Sequence, residues 1–175
     1  NNMLTKIMRI LKVLTSPKLY GELFRWHMYY AYEHALPMKN LVVGGNPEIH
    51  PTVSFRFEKN ISLGDHIVID MNCCLWASAH ARISIGNDTG IGPGTIIVSS
   101  NHTFAKDRVY TDLPISEKDI IVGNNVWIGA NSVILAGARI GNGCIIGAGC
   151  VVSRDIPEDS VVVSGNRTLS IARKR

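Results

Sequence analysis

Residues 122–157 divide without remainder into sixes: VGNNVW IGANSV ILAGAR IGNGCI IGAGCV VSRDIP. The first position holds Val122, Ile128, Ile134, Ile140, Ile146 and Val152, β-branched every time. The fifth holds Val126, Ser132, Ala138, Cys144, Cys150 and Ile156, most of them small. An α-helix repeats its faces every 3.6 residues and a long strand every two, so neither keeps a period of six. A short strand followed by a turn does keep it. Three such units close a triangular coil, and successive coils stack at the strand spacing of about 4.8 Å. The β-branched position then points inward and stacks on its equivalents above and below, building one continuous core column. The small fifth residue fits the crowded corner, where Gly or Asn tolerates left-handed dihedrals. This predicts a parallel β-helix.

An earlier block keeps the same phase, with Ile85, Ile91 and Ile97 first and Thr89 and Thr95 fifth. Before it come LGDHIV, IDMNCC and LWASAH from Leu63, and EIHPTV at 48–53 reads as an opening rung. Four extra residues, Ala81 to Ser84, separate the two blocks and predict a bulged corner. The pattern stops at SSNHTF, residues 99–104, runs through TFAKDRVYTDLPISEKD, and resumes at Ile120. Long excursions from a repeat scaffold commonly carry binding residues. The expected organisation is a helical segment over 1–40, repeats over 41–165 with an excursion at 103–120, and a basic tail over 166–175.

The helical segment shows Leu4, Ile7, Met8, Leu11 and Leu14 at three- and four-residue spacing, with Lys6, Arg9 and Lys12 elsewhere around the wheel. Pro17 ends that helix or begins a second, aromatic-rich one, LYGELFRWHMYYAYEHA. Two readings stay open: packing on the coil or a neighbouring subunit, or a basic amphipathic surface resting on a membrane face.

A chain of 175 residues that is 46% hydrophobic and only 18% charged suits one globular domain rich in tight turns. The net charge of +4 collects at the two ends, where basic groups suit the phosphates of a cofactor or a membrane surface. No nucleic-acid motif accompanies it, and no apolar run is long enough to span a bilayer. Lys6, Arg9 and Lys12 interrupt any signal-peptide core, so a cytoplasmic location is expected. The cysteines at 73, 74, 144 and 150 form neither a CxxC pair nor a zinc-ligand spacing with histidine. Cys73, Cys144 and Cys150 fall in the small-residue slot and read as packing, and no metal is expected.

Together the hexapeptide run and SSNHTF resemble the hexapeptide-repeat acyltransferases, which fold as left-handed parallel β-helices. Within that group the chain is similar to the sugar O-acetyltransferases acting on galactosides, maltose and surface polysaccharides. The similarity extends over about residues 60–165. Handedness rests on the resemblance alone, since parallel crossovers are otherwise right-handed. The resemblance implies a mainly β protein forming a homotrimer, with active sites in the clefts between subunits. It also implies acetyl-CoA as cosubstrate and direct acetyl transfer to a sugar or glycan hydroxyl. By the same resemblance His102 is the catalytic base, and Asn72 in DMNCC holds the acceptor hydroxyl. Trp127 lines the cleft by the pantetheine arm, and a backbone N–H near Gly129 and Ala130 meets the oxyanion. Ala130, Ala148, Ser153 and Arg154 follow the CoA, and Arg173 or a neighbour meets its 3′-phosphate.

An alcohol is a poor nucleophile at neutral pH, so this transfer needs a base, and imidazole exchanges protons near neutrality. The sequence offers no obvious carboxylate to orient His102, which leaves a backbone carbonyl for that task. The acidic motif of the small-sugar acetyltransferases is replaced here by basic, aromatic helices. That shifts the expected acceptor from a free mono- or disaccharide towards a surface polysaccharide or lipid-linked glycan at the inner membrane face. Two alternatives stay open: N-acetylation of an amino sugar, and a non-catalytic β-helix scaffold. The gamma-class carbonic anhydrases share the fold, but their paired histidines five residues apart are missing.

Overall fold

From Val42 onward the chain winds into three parallel faces. The computed structural model describes residues 2–164 and 169–173, with side chains over 3–164. The first face stacks Val42–Val43, Ile61–Leu63, Ile83–Ile85, Ile120–Val122 and Arg139–Ile140. The second stacks Glu48–Ile49, Val68–Ile69, Gly90–Ile91, Trp127–Ile128, Ile145–Ile146 and Ser160–Ser164, and ends on the antiparallel strand Leu169–Arg173. The third stacks Ser54–Arg56, Cys74–Trp76, Ile96–Val98, Val133–Leu135 and Val151–Val152. The protein is mainly β, a left-handed parallel β-helix preceded by short helices.

The six-residue period maps directly onto this coil. Ile69, Ile91, Ile128, Ile146 and Val162 pair in register up the second face and are all buried. Burying each such side chain is worth roughly 1.5–3 kcal/mol relative to exposure. The fifth positions Val126, Ser132, Ala138, Cys144, Cys150 and Ile156 are buried in the corners. All four cysteines are free, and Cys73, Cys144 and Cys150 are packed inside. Burial pushes the Cys73 thiol up to about 11 and raises Cys150 as well.

A second column locks the corner between the first and second faces. The Gly45 N–H donates to Asp65 Oδ1 at 2.6 Å, and the Asp65 N–H to Asn87 Oδ1 at 2.9 Å. The Asn87 N–H donates to Asn124 Oδ1 and the Asn124 N–H to Asn142 Oδ1, both at 2.8 Å. Each acid or amide thus satisfies a backbone donor one coil below, which a turn would otherwise leave to water. Glycine precedes each of them because a Cβ on Gly123 would lie 2.6 Å from Asn142 Oδ1 and 2.7 Å from its backbone nitrogen. The residue that follows is left-handed, as at His66, Asp88 and Asn125.

The ladder also measures the coils. Its successive partners are 20, 22, 37 and 18 residues apart. Every surplus over the eighteen-residue coil falls at one corner, where the third face returns to the first. There the first coil adds the 3₁₀ turn Glu58–Asn60, and the second adds residues between Trp76 and Ile83. The third coil leaves as an antiparallel hairpin, Ser100–His102 against Ile115–Glu117, closed at its base by the Lys118 N–H donating to Ser99 O at 3.0 Å. The departure therefore begins at Ser100, a few residues before the point where the period is lost in sequence, because the first hairpin strand continues directly from the rung.

Helix α1, Asn2–Leu14, and helix α2, Pro17–Tyr30, precede a π-helical stretch, Ala31–Ala35, and a short turn of helix, Leu36–Met38. Ser16 Oγ accepts the Leu19 N–H at 3.2 Å, capping α2, with Pro17 in the first turn. Apart from half-buried Leu19, both helices leave their described apolar side chains exposed. The attachment comes after them. Buried Glu33 accepts from the Ser54 hydroxyl and pairs with Arg56 at 3.3 Å, and Arg56 lies 3.9 Å over the Trp76 ring. His34 Nδ1 donates to Val53 O at 2.8 Å while its ring sits between Tyr30 and Phe55.

Two stability predictions follow from the columns. Gly123→Ala forces its methyl into the neighbouring coil's backbone and should cost about 1–3 kcal/mol, against about 1 kcal/mol for Asn124→Ala, which removes one hydrogen bond. Equilibrium urea unfolding ranks the two, and an unchanged midpoint for Gly123→Ala would refute the close approach. Cys73 supplies the second. Above pH 9 the unfolded chain loses this proton and the folded chain keeps it until about 11. Stability therefore falls as pH rises through that window, by roughly 2–3 kcal/mol. Urea midpoints at pH 8 and pH 10.5 should converge in Cys73→Ala relative to the wild type.

Candidate active site

The residues singled out in sequence distribute over two edges of the prism. Trp127 ends on the corner between the second and third faces, followed by Gly129 and Ala130, with Ala148 one coil above. Asn72 occupies the same corner lower down, in a left-handed conformation with φ of 59°. Its N–H donates to Thr52 Oγ1 at 2.8 Å, and its exposed side chain lines a cavity beside α2. The other edge, between the third and first faces, carries His102 on the hairpin and Ser153 and Arg154 just after Val151–Val152, all exposed. Within one protomer the third face lies between these two groups. The backbone of Arg173 pairs with Ser160 at the end of the second face, and its side chain lies outside the described residues.

Trp127 is half exposed on the outer surface of its strand. Its neighbour one coil below is Gly90, and a Cβ there would lie 2.7 Å from the indole Cε3 and Cζ3. Gly90 is thus the floor on which the ring rests, a role that the period alone did not reveal because it concerns the outward position. Gly129 answers a different need. A Cβ on it would meet the Ala148 backbone nitrogen at 2.5 Å, so the glycine serves the stacking of this corner. The Gly129 N–H is committed to Ile146 O at 2.7 Å. Of the two backbone donors considered for the oxyanion, only that of Ala130 has no partner among the described residues.

His102 is exposed on the hairpin, and its backbone faces Ile115 across the ladder. Its ring meets Tyr110 edge to face, with centroids 5.0 Å apart at 89°. No ring hydrogen bond to a carbonyl accompanies this among the described residues, so an aromatic contact stands where a carbonyl was expected. Tyr110 lies in the excursion, where no periodicity exists to single out a residue. Phe104, Val109 and Ile115 are exposed on the same hairpin, Phe104 at 92%. Among the described residues, no group of three or more His, Cys, Asp or Glu side chains is placed to hold a metal.

The family described as bacterial transferase hexapeptide (six repeats) matches residues 119–154. A crystal structure of a hexapeptide-repeat-containing acetyltransferase from Vibrio cholerae superposes with a TM-score of 0.69 at 33% identity, covering 80% of this chain and 77% of that one. The chain belongs to the hexapeptide-repeat acetyltransferases. A Vibrio cholerae O1 structure of such an acetyltransferase complexed with acetyl coenzyme A gives a TM-score of 0.71 at 28% identity, covering 91% of this chain and 90% of that one. Nodulation protein L of Rhizobium meliloti (strain 1021) is 37% identical over 121 residues, 69% of this chain and 64% of that protein. Galactoside O-acetyltransferase of Escherichia coli (strain K12) is 35% identical over 127 residues, 70% of this chain and 59% of that protein. The chain thus spans less than two thirds of the length of either curated relative.

The seat of Trp127 makes a prediction that separates ligand binding from folding. Gly90→Ala should leave the coil's melting temperature within a few degrees of the wild type, because only the outer ring has to move. If the ring flanks the cofactor, Gly90→Ala and Trp127→Ala should each weaken CoA binding about tenfold. Isothermal titration with CoA checks this, and unchanged affinity in both variants would remove Trp127 from the cofactor path.

Proposed function

We propose that this hexapeptide-repeat protein transfers an acetyl group from acetyl-CoA to a sugar hydroxyl, in a cleft formed between subunits of a homotrimer. The observation that carries the reading is His102 at the long departure from the coil, exposed on a hairpin. Trp127, Ala130 and Asn72 occupy the other edge of the third face. A small acceptor cannot touch both edges of one prism, but it can lie between the hairpin edge of one copy and the Trp127 edge of the next. The exposed Phe104, Val109 and Ile115 support such a neighbour, since an apolar protrusion of this kind calls for cover. The Vibrio cholerae structure with acetyl-CoA and the galactoside O-acetyltransferase support the cosubstrate and the sugar class.

In this mechanism His102 Nε2 removes the acceptor proton as the hydroxyl oxygen attacks the thioester carbonyl. The Ala130 N–H stabilises the tetrahedral oxyanion, a contribution that is large where the donor is fixed in advance. The C–S bond then breaks, and the imidazolium returns its proton to the departing thiolate. Tyr110 limits the rotation of the ring. Asn72 holds the acceptor hydroxyl, Ser153 and Arg154 flank the CoA, and Arg173 reaches its 3′-phosphate. The acceptor belongs to a surface polysaccharide or glycan under assembly. No helix among the described residues is long and apolar enough to cross a membrane. In our reading α1 instead lies on the cytoplasmic membrane face, its exposed Leu4, Ile7, Met8 and Leu11 towards the lipid and Lys6, Arg9 and Lys12 at the headgroups.

General-base catalysis contributes roughly 10²–10⁴-fold, so His102→Ala should lose that much kcat. Its CoA affinity and its trimeric sedimentation should stay those of the wild type. Thiol release from acetyl-CoA in the presence of a sugar panel provides the assay. Near-normal turnover in His102→Ala would exclude it as the base, and no CoA binding by the wild type would exclude the acetyltransferase itself.

A further inference from the structure

Between α2 and the first coil lies a cavity of about 470 Å³ walled by Trp26, Tyr29, Tyr30, His34 and Val53, with Asn72 on its rim. Its walls are aromatic and aliphatic. Trp26 and Tyr29 meet edge to face at 6.1 Å, and Tyr30 stacks on His34 at 5.3 Å. Three of the polar groups around it are spent inside the protein. His34 Nδ1 is bound to Val53 O, His27 Nδ1 to Leu23 O at 2.7 Å, and Thr52 Oγ1 receives the Asn72 N–H. The Asn72 side-chain amide has no hydrogen bond to another described residue and stands at the rim. The cavity is therefore a mainly aromatic and aliphatic slot with the Asn72 amide free at one end.

The charge around the slot is one-sided. The helices that form and precede its outer wall carry Lys6, Arg9, Lys12, Lys18 and Arg25 against Glu22 and the buried Glu33, which is paired with Arg56. A free hydrophilic sugar would leave most of the aromatic wall unsatisfied. An acceptor with a hydrocarbon chain fills it, and an anionic link or headgroup beside that chain suits the basic helices. We infer that this slot is an acceptor subsite for the apolar chain of a glycolipid or lipid-linked glycan, whose sugar end projects past Asn72 towards the acetyl donor. The inference rests on the acetyl-transfer reading for the direction in which the sugar points. The slot's preference for a chain stands on its lining alone.

Matched methyl and octyl β-glucosides, the latter below its micelle concentration, test this by tryptophan fluorescence titration of the full chain. The octyl compound should bind at least tenfold more tightly than the methyl compound. Trp26→Ala removes no core contact, the residue being 65% exposed, and together with Tyr30→Ala it should abolish the difference; calorimetry follows binding where the fluorophore is lost. An α1 variant, Ile7→Ser with Leu11→Ser, should keep it. Equal binding of the two glucosides would overturn the inference, as would an octyl preference that survives Trp26→Ala and Tyr30→Ala. Loss of the preference in the α1 variant would also overturn it, by placing the chain on the helix surface. Thiol release with acetyl-CoA is read separately. An intact octyl preference without thiol release would sink the transfer reading and leave the slot standing.

Discussion

The fold depends on the inward column staying in register, coil after coil. Ile91, Ile128 and Ile146 bury one another only if each coil brings its residue back to the same azimuth. The Gly–Asx ladder enforces that return with hydrogen bonds at 2.6–2.9 Å and glycines too close to the next coil to carry a Cβ. Anything added to the chain must therefore be looped out where no such ladder runs. The surplus residues accordingly collect at the corner between the third and first faces, and His102 is found there. Among the described residues, the coil takes its surplus along this one edge.

That constraint also explains why the candidate residues do not converge in one protomer. A prism has edges pointing in different directions, and a stacked coil cannot bend one edge towards another. Trp127, Ala130 and Ala148 follow one corner, while Ser153, Arg154 and the hairpin follow the next. A cleft with two different walls is most simply made by setting two prisms side by side. In the proposed trimer the exposed apolar hairpin would be the part of each subunit that meets its neighbour.

Much of this was legible in the sequence, and the reasons are physical. The β-branched first position and small fifth position report directly on inward-facing packing, so the core column and the buried cysteines could be read by counting. The extra residues before Ile85 could be read as a break in phase. The stopping point of the repeat marked His102, though the chain leaves the rung at Ser100, earlier than the lost period suggested. What periodicity does not encode is the outer surface. Gly90 under Trp127 lies on the outward side of its strand, and Tyr110 against His102 lies where no repeat exists. The prior commitment of the Gly129 N–H is a matter of ladder pairing, visible only when the neighbouring coil is in place. The slot between α2 and the first coil depends on how Glu33 and His34 dock, which helical spacing alone does not specify.

The docking of the helices has a consequence for how such proteins diversify. The arm before the coil is held by a few buried groups, Glu33, His34 and Pro37, while α1 and α2 contribute no buried side chain. The coil would keep its own core if the arm were replaced, provided the new arm offered a partner for Arg56 and Ser54. Substitutions along α2 are thus almost free of folding cost, so the outer wall of the slot can drift at the pace of a loop while the rigid prism behind it does not change. On the proposed reading, such a protein would change its acceptor by changing its handle.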